Sequence, residues 1–185
     1  AFDYAVLRPN VKVIVLAATG PHFSSGHDLS GEGSKTWRDF PVVGTWGSFD
    51  MPGSEGLYAR EMEIYLEMTE RWRNLSKMTI AQVQGKCVTG GLMLMWACDL
   101  VVASDDAQFI CTSAKMGGSG LEFYAYPWEI GPRRAKEWIL TGELSAQKAE
   151  QYGMVNHIVP RAQLEEKTLA LAEKLTLQTS WSLSM

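Results

Sequence analysis

Two adjacent glycines, Gly90 and Gly91, stand between a short apolar stretch and a longer one. Ile80, Ala81 and Val83 come first and stop at Gly85; the run 92–98 (LMLMWAC) follows and stops at Asp99. Strand, glycine turn and buried helix is an order that aims free backbone N–H groups at a ligand. The first turn of a helix has N–H donors with no partner inside the helix. The helix dipole adds partial positive charge at that end. Glycine lets a ligand come close to the backbone. The pair is therefore a candidate for holding an anion, or an oxygen that becomes one during a reaction. The same spacing also fits a buried helix that opens on two packing glycines. A second set of reactive types lies in the polar loop 22–30 (HFSSGHDLS), which holds two of the three histidines and an acid.

The elements that must position these groups read as an alternation of strands and helices. Residues 11–17 (VKVIVLA) are a buried strand by their β-branched run and length. Thr19, Gly20 and Pro21 break it. Residues 31–56 have low periodicity, Pro41 and Pro52, several glycines, and the aromatics Trp37, Phe40, Trp46 and Phe49. A stretch of this length without periodicity is usually functional or mobile. Residues 57–75 are expected to be one amphipathic helix. Tyr58, Met62, Tyr65, Met68, Trp72 and Leu75 form its core stripe, with Glu61, Glu63, Glu67, Arg71 and Arg73 on the opposite face. Strands are expected at 79–83, 100–103, 108–112 and 155–159. Pro132 opens a helix that continues over 133–140. Ser145 is the N-cap of a helix over 146–152, with Gly153 just past its end. A last helix spans 164–177. The pattern is α/β with largely parallel strand pairing, in a single domain over 1–185.

Composition narrows the class. The chain has 185 residues, 46% of them hydrophobic, and a formal net charge of -4. That suits one globular domain with a real core. Mild acidity argues against nucleic acid or an anionic membrane as the main partner. No apolar run reaches the roughly 18 residues needed to span a bilayer. Cys87, Cys98 and Cys111 form neither a C-x-x-C pair nor a His–Cys ligand set, so free buried thiols in a reducing, cytoplasmic setting are expected. An organellar matrix stays open, because residues 1–7 read as the end of a helix and the start of the chain looks incomplete. No metal is expected. Neither G-x-x-x-x-G-K-[ST] nor G-x-G-x-x-G occurs, so phosphate-loop and dinucleotide readings fail.

Three stretches, taken in order, resemble the enoyl-CoA hydratase/isomerase family, the crotonase superfamily. They are VIVLAATGPHFSSGHDLS, IAQVQGKCVTGGLMLMWACDLVVASDDAQF and ILTGELSAQKAEQYGMVNHIVP. The likeness runs from about residue 11 to 177. Family members are longer at both ends, so the resemblance implies a piece of a longer chain. It implies a spiral of ββα turns and a homo-oligomer, a trimer or a dimer of trimers. It also implies an oxyanion hole of two backbone N–H groups. Position by position these are the N–H of His27 and the N–H of Gly90, which agrees with what the glycine pair suggests by itself. His27 would serve through its backbone. Ser24, Asp28, Leu29 and Gly91 would line the side of the pocket that takes the CoA thioester. The implied substrate is an acyl-CoA. No separate cofactor is implied, because the CoA belongs to the substrate. The aromatic loop over 37–49 would shape the acyl pocket.

The likeness fails at two positions. Hydratases of this family add water with two glutamates. The first would fall at Met93 and the second near Ser113, and neither is a carboxylate. Glu122, among the apolar neighbours Leu121, Phe123 and Tyr124, is the nearest acid where other family members place a different catalytic carboxylate. Apolar neighbours would raise its pKa toward a useful acid/base range if it reaches the pocket; otherwise it is a solvated acid at a helix start. Asp99 resembles a structural C-D pair, and Asp105 and Asp106 a solvated turn. Two other functional classes remain. One is a binding homologue with weak or absent catalysis. The other is a serine hydrolase, disfavoured because GGSGL is not G-x-S-x-G and no histidine stands ready to activate a serine.

Overall fold

The structure, a computed structural model, describes residues 1–28, 51–116 and 126–184. The chain opens with a short helix α1 (Phe2–Val6) and strand β1 (Val13–Ala17). One long helical segment follows: α2 (Gly53–Glu61), a π-helical turn (Met62–Glu67) and α3 (Met68–Arg73). Then come β2 (Met78–Val83), β3 (Lys86–Val88) and α4 (Gly90–Trp96). After them run β4 (Leu100–Ser104), β5 (Gln108–Ile110), a 3-10 turn (Ser113–Met116), α5 (Tyr126–Ile130) and α6 (Pro132–Thr141). The last elements are β6 (Glu143–Ser145), α7 (Ala146–Gln151), β7 (His157–Val159), α8 (Leu164–Thr176) and α9 (Ser180–Leu183).

The strands form two sheets. One is fully parallel in the order β1-β2-β4-β7; the other has the order β3-β5-β6, with β3 and β5 parallel and β6 antiparallel. Each passage of the chain leaves one strand in each sheet before a helix returns it: β2, β3, α4, then β4, β5 and the helices beyond. This is a spiral of ββα turns in a mixed α/β fold. The strands of the parallel sheet are covered on both sides, so they read as near-continuous apolar runs. Alternation along β2 shows both sides at once. Ala81 and Val83 face a core shared with Leu92, Met95, Trp96, Phe109 and Trp138, while Ile80 faces Val102 and Leu164 of the layer under α8. Asp99 clasps the starts of β2 and β4: its Oδ2 accepts from the Thr79 N–H at 2.8 Å and the Thr79 hydroxyl at 2.7 Å. Its structural role is as expected.

Several expectations hold in detail. Pro132 opens α6, and Gly142 closes it in the left-handed region. The Ser145 hydroxyl caps α7 by accepting from the Lys148 N–H at 3.3 Å. The segment 57–75 needs correction. Its buried residues are Gly56, Ala59, Met62, Glu63 and Thr69, whereas Leu57 is 53% and Tyr58 50% exposed. Glu63, expected on the polar face, is 2% exposed. The π-helical turn bears on the residues from Met62 onward; Leu57 and Tyr58 lie before it, in α2. A helix advances about 100° per residue, so an extra residue in one turn rotates everything after it by that angle. The Thr69 hydroxyl donates back to the Tyr65 and Leu66 carbonyls, the local bond that takes up carbonyls at such a turn.

Candidate active site

The segment after β1 enters the second layer and is fastened there by backbone bonds. The Phe23 N–H donates to the Gln84 carbonyl at 2.8 Å, the Ser24 N–H to Lys86 at 3.2 Å, and the Val88 N–H to Ser24 at 3.0 Å. Ser24 thereby pairs with Cys87 as an isolated parallel bridge. Gly26 then turns at φ 90, where a β-carbon would stand 2.9 Å from the Val88 carbonyl oxygen. Its N–H donates to the Ser24 hydroxyl at 3.2 Å. This turn delivers His27 to the start of α4. A β-carbon on Gly90 would lie 3.3 Å from the His27 nitrogen, and one on Gly26 would lie 3.6 Å from the Gly90 nitrogen. Among the described residues neither of these two N–H groups donates a hydrogen bond.

The residue before the glycine pair is strained. Thr89 has φ 37 and ψ -90, outside the regions a β-branched residue normally occupies. Three contacts hold it. Its N–H donates to the Ile110 carbonyl at 2.9 Å, its hydroxyl lies 2.6 Å from that of Thr112, and the Thr112 N–H donates to it at 3.2 Å. The glycines themselves divide the two readings their spacing allowed. Gly91 is buried, and a β-carbon there would meet the Ser24 β-carbon at 2.6 Å, so Gly91 is a packing glycine. Gly90 is half-buried and keeps its N–H uncommitted.

The side-chain surroundings include groups that sequence reasoning placed elsewhere. His27 is exposed, and its Nδ1 lies 2.5 Å from the hydroxyl of Tyr65, in the π-helical turn. The two rings tilt against each other with centroids 5.8 Å apart. One turn earlier stands Glu61. Partial burial holds its carboxyl above the usual carboxylate range, and the nearby His27 and Arg60 pull it back down. A regular helical period puts Tyr65 on the core stripe and Glu61 on the opposite face. The π turn breaks that period at Tyr65, whereas Glu61 stands just before it. Met93 and Ser113 are buried, at 8% and 9% exposure. Asp28 is exposed beside His27. Leu29, Glu122 and the aromatic loop 37–49 lie outside the described residues.

Other chemistries find less support. The Ser24 hydroxyl accepts from the Gly26 N–H, and the Nδ1 atoms of His22 and His27 face the Lys86 N–H and the Tyr65 hydroxyl rather than a serine. Cys87, Cys98 and Cys111 are buried free thiols; burial pushes Cys87 and Cys98 well above the ordinary thiol range. Among the described residues no three His, Cys, Asp or Glu side chains converge on a metal site. No helix among them is long and apolar enough to cross a membrane.

The family model for enoyl-CoA hydratase/isomerase matches residues 50–185. The chain belongs to the enoyl-CoA hydratase/isomerase family. A Mycobacterium tuberculosis relative, named "Putative enoyl-CoA hydratase EchA13", is 40% identical over 182 residues, 95% of this chain and 57% of that protein. The human mitochondrial enoyl-CoA hydratase domain-containing protein 3 is 30% identical over 168 residues, 90% of this chain and 50% of that protein. The chain thus spans about half the length of these relatives. The crystal structure of a "probable enoyl-CoA hydratase" from Mycobacterium thermoresistibile superimposes with a TM-score of 0.84 at 40% identity, covering 100% of this chain and 69% of that one. A Mycobacterium smegmatis structure of the same description gives 0.83 at 42% identity, covering 100% and 68%. Family membership and the crotonase-type α/β fold therefore rest on sequence and architecture together.

Proposed function

We propose that this chain acts on acyl-CoA thioesters by a hydratase- or isomerase-type reaction and stabilises a thioester enolate between two backbone N–H groups. The observation that supports this reading is that the backbone nitrogens of His27 and Gly90 lie close together at the start of α4, with neither N–H donating a hydrogen bond among the described residues. Activating a thioester puts negative charge on its carbonyl oxygen, as the C–H or C=C electrons next to it move onto that oxygen. Donors fixed in advance at that point stabilise the charge without reorganising, each by roughly 3–4 kcal/mol where single donors have been removed in other enzymes. Strain at Thr89 belongs to the same reading, because it fixes the orientation of the peptide that carries the Gly90 N–H.

Ser24, Asp28 and Leu29 are assigned to the thioester side of the pocket, and Glu122 to proton transfer; Gly91 serves it only by letting Ser24 pack closely. No cofactor beyond the CoA of the substrate is required, and the working form is a homo-oligomer. A second reading is favoured by one specific observation. Met93 and Ser113 are buried and carry no acid where hydratases use glutamates, which suits an acyl-CoA-binding homologue of weak activity. Hydration of crotonyl-CoA, followed as loss of the conjugated thioester absorbance, separates the two. The parent is expected to turn over, and Glu122→Gln to lose about 100-fold or more, the range for one general acid or base. A parent that binds crotonyl-CoA without turnover supports the binding reading instead.

A further inference from the structure

The π-helical turn carries chemistry that the glycine pair does not. Its Tyr65 hydroxyl reaches the imidazole of the residue whose N–H faces Gly90. Glu61 lies four residues earlier, and residues at that spacing share a helix face. We propose that Glu61 supplies a second carboxylate beside the one assigned to Glu122, moving the proton at the carbon next to the thioester carbonyl, with Tyr65 and the His27 imidazole as the groups that position it. This rests on the oxyanion reading above, because the α-carbon is bonded to the carbonyl carbon whose oxygen the His27 N–H would hold.

The step balances within the site. The ionised Glu61 carboxylate takes a proton from the α-carbon. The C–H electron pair becomes the C=C of the enolate, and the carbonyl electrons move to the oxygen between the two N–H groups. Return of the proton to carbon restores the thioester and the carboxylate, so no oxidant or second reactant enters. The carboxylate environment fits the task. Partial burial raises the Glu61 pKa toward the working range of a general base, and the His27 and Arg60 charges limit the rise. These are the charged groups that act on it among the described residues. Tyr65 holds the ring through Nδ1, which keeps that ring's field on Glu61.

Exchange of the α-hydrogens of butyryl-CoA in D2O, followed by NMR, tests the inference apart from hydration. The full chain is expected to exchange them, with a rate that falls on the acid side as Glu61 takes up its proton. Glu61→Gln should lower the rate about 100-fold or more while butyryl-CoA affinity, measured by calorimetry, stays the same. Glu61→Asp should keep part of the rate. Tyr65→Phe frees the imidazole and should move the midpoint of the pH profile upward, an effect that a purely structural role would not produce. If the parent binds butyryl-CoA and Glu61→Gln exchanges as fast as the parent, Glu61 is not the base and only this inference falls. A parent that binds without exchanging also overturns it. If the parent neither binds nor exchanges, the oxyanion reading itself is wrong.

Discussion

Gly90 and Gly91 are neighbours, yet a methyl group on each would meet different surroundings. On Gly91 it would run into the Ser24 β-carbon at 2.6 Å, a wall fixed by the bonds between Ser24 and β3. Alanine in place of a helical glycine gains up to about 1 kcal/mol of propensity, but overpacking costs about 1–3 kcal/mol, so the clash wins. Gly91→Ala should therefore lower the denaturant midpoint. On Gly90 the nearest atom is the His27 nitrogen at 3.3 Å, a distance that small shifts accommodate. Gly90→Ala should leave the midpoint near that of the parent but cover the His27 N–H, with turnover of crotonyl-CoA down roughly 10²–10³-fold, the effect of losing one such donor. Equal stability of Gly91→Ala and parent would mean that Ser24 is not a fixed wall. The glycine pair was legible in the sequence because residue type and the apolar run after it determine what its backbone can do. Tyr65 was not legible as a site residue, since its direction depends on a helical irregularity that leaves no mark in composition.

Among the elements, the turn between β4 and β5 is tied to two distant parts of the chain by one arginine. Arg161, in a 3-10 turn (Arg161–Gln163) that leads into α8, donates to Asp106 Oδ2 at 2.7 Å and to the Pro21 carbonyl at 2.6 Å. The Ser104 hydroxyl also bonds to Asp106, and with Arg161 it holds that carboxyl below the usual carboxylate range. The solvated turn expected here is thus exposed but tethered. A carboxylate whose folded pKa is depressed adds stability that is complete above its unfolded pKa and disappears as pH falls through the folded one. Thermal midpoints of the parent should accordingly drop below about pH 4 more steeply than those of Asp106→Asn. Parallel curves for the two proteins would show that the tether contributes nothing measurable. Element legibility followed length. β1, β2 and β4 announce themselves as β-branched or apolar runs. β3 and β6 have three residues each and were not anticipated; β5 and β7 are as short, but they fall within the expected strands 108–112 and 155–159.

For the whole molecule, the spiral of ββα turns came from resemblance rather than from periodicity. Residues 86–88, 108–110 and 143–145 meet across long separations, which no local pattern encodes. Large apolar side chains stand open on the described surface, with Trp128 at 83%, Leu177 at 82% and Trp181 at 75% exposure. On the homo-oligomer proposed above, these side chains are candidates for burial between copies. Sedimentation equilibrium of the full chain should accordingly give a mass of several chains. A mass of one chain across the micromolar range would overturn the proposed homo-oligomer.

The π turn over Met62–Glu67 has a meaning at the level of the gene. It is what a helix does with one residue more than its two ends can use. A single inserted codon therefore suffices to swing the following side chains by about 100° while strands and helices elsewhere keep their places. Substitution changes what a position is; insertion changes what every later position in the helix looks at. On the reading that Met93 and Ser113 stand where hydratases use glutamates, a one-codon edit in a neighbouring helix is a route by which other side chains could be brought to the pocket.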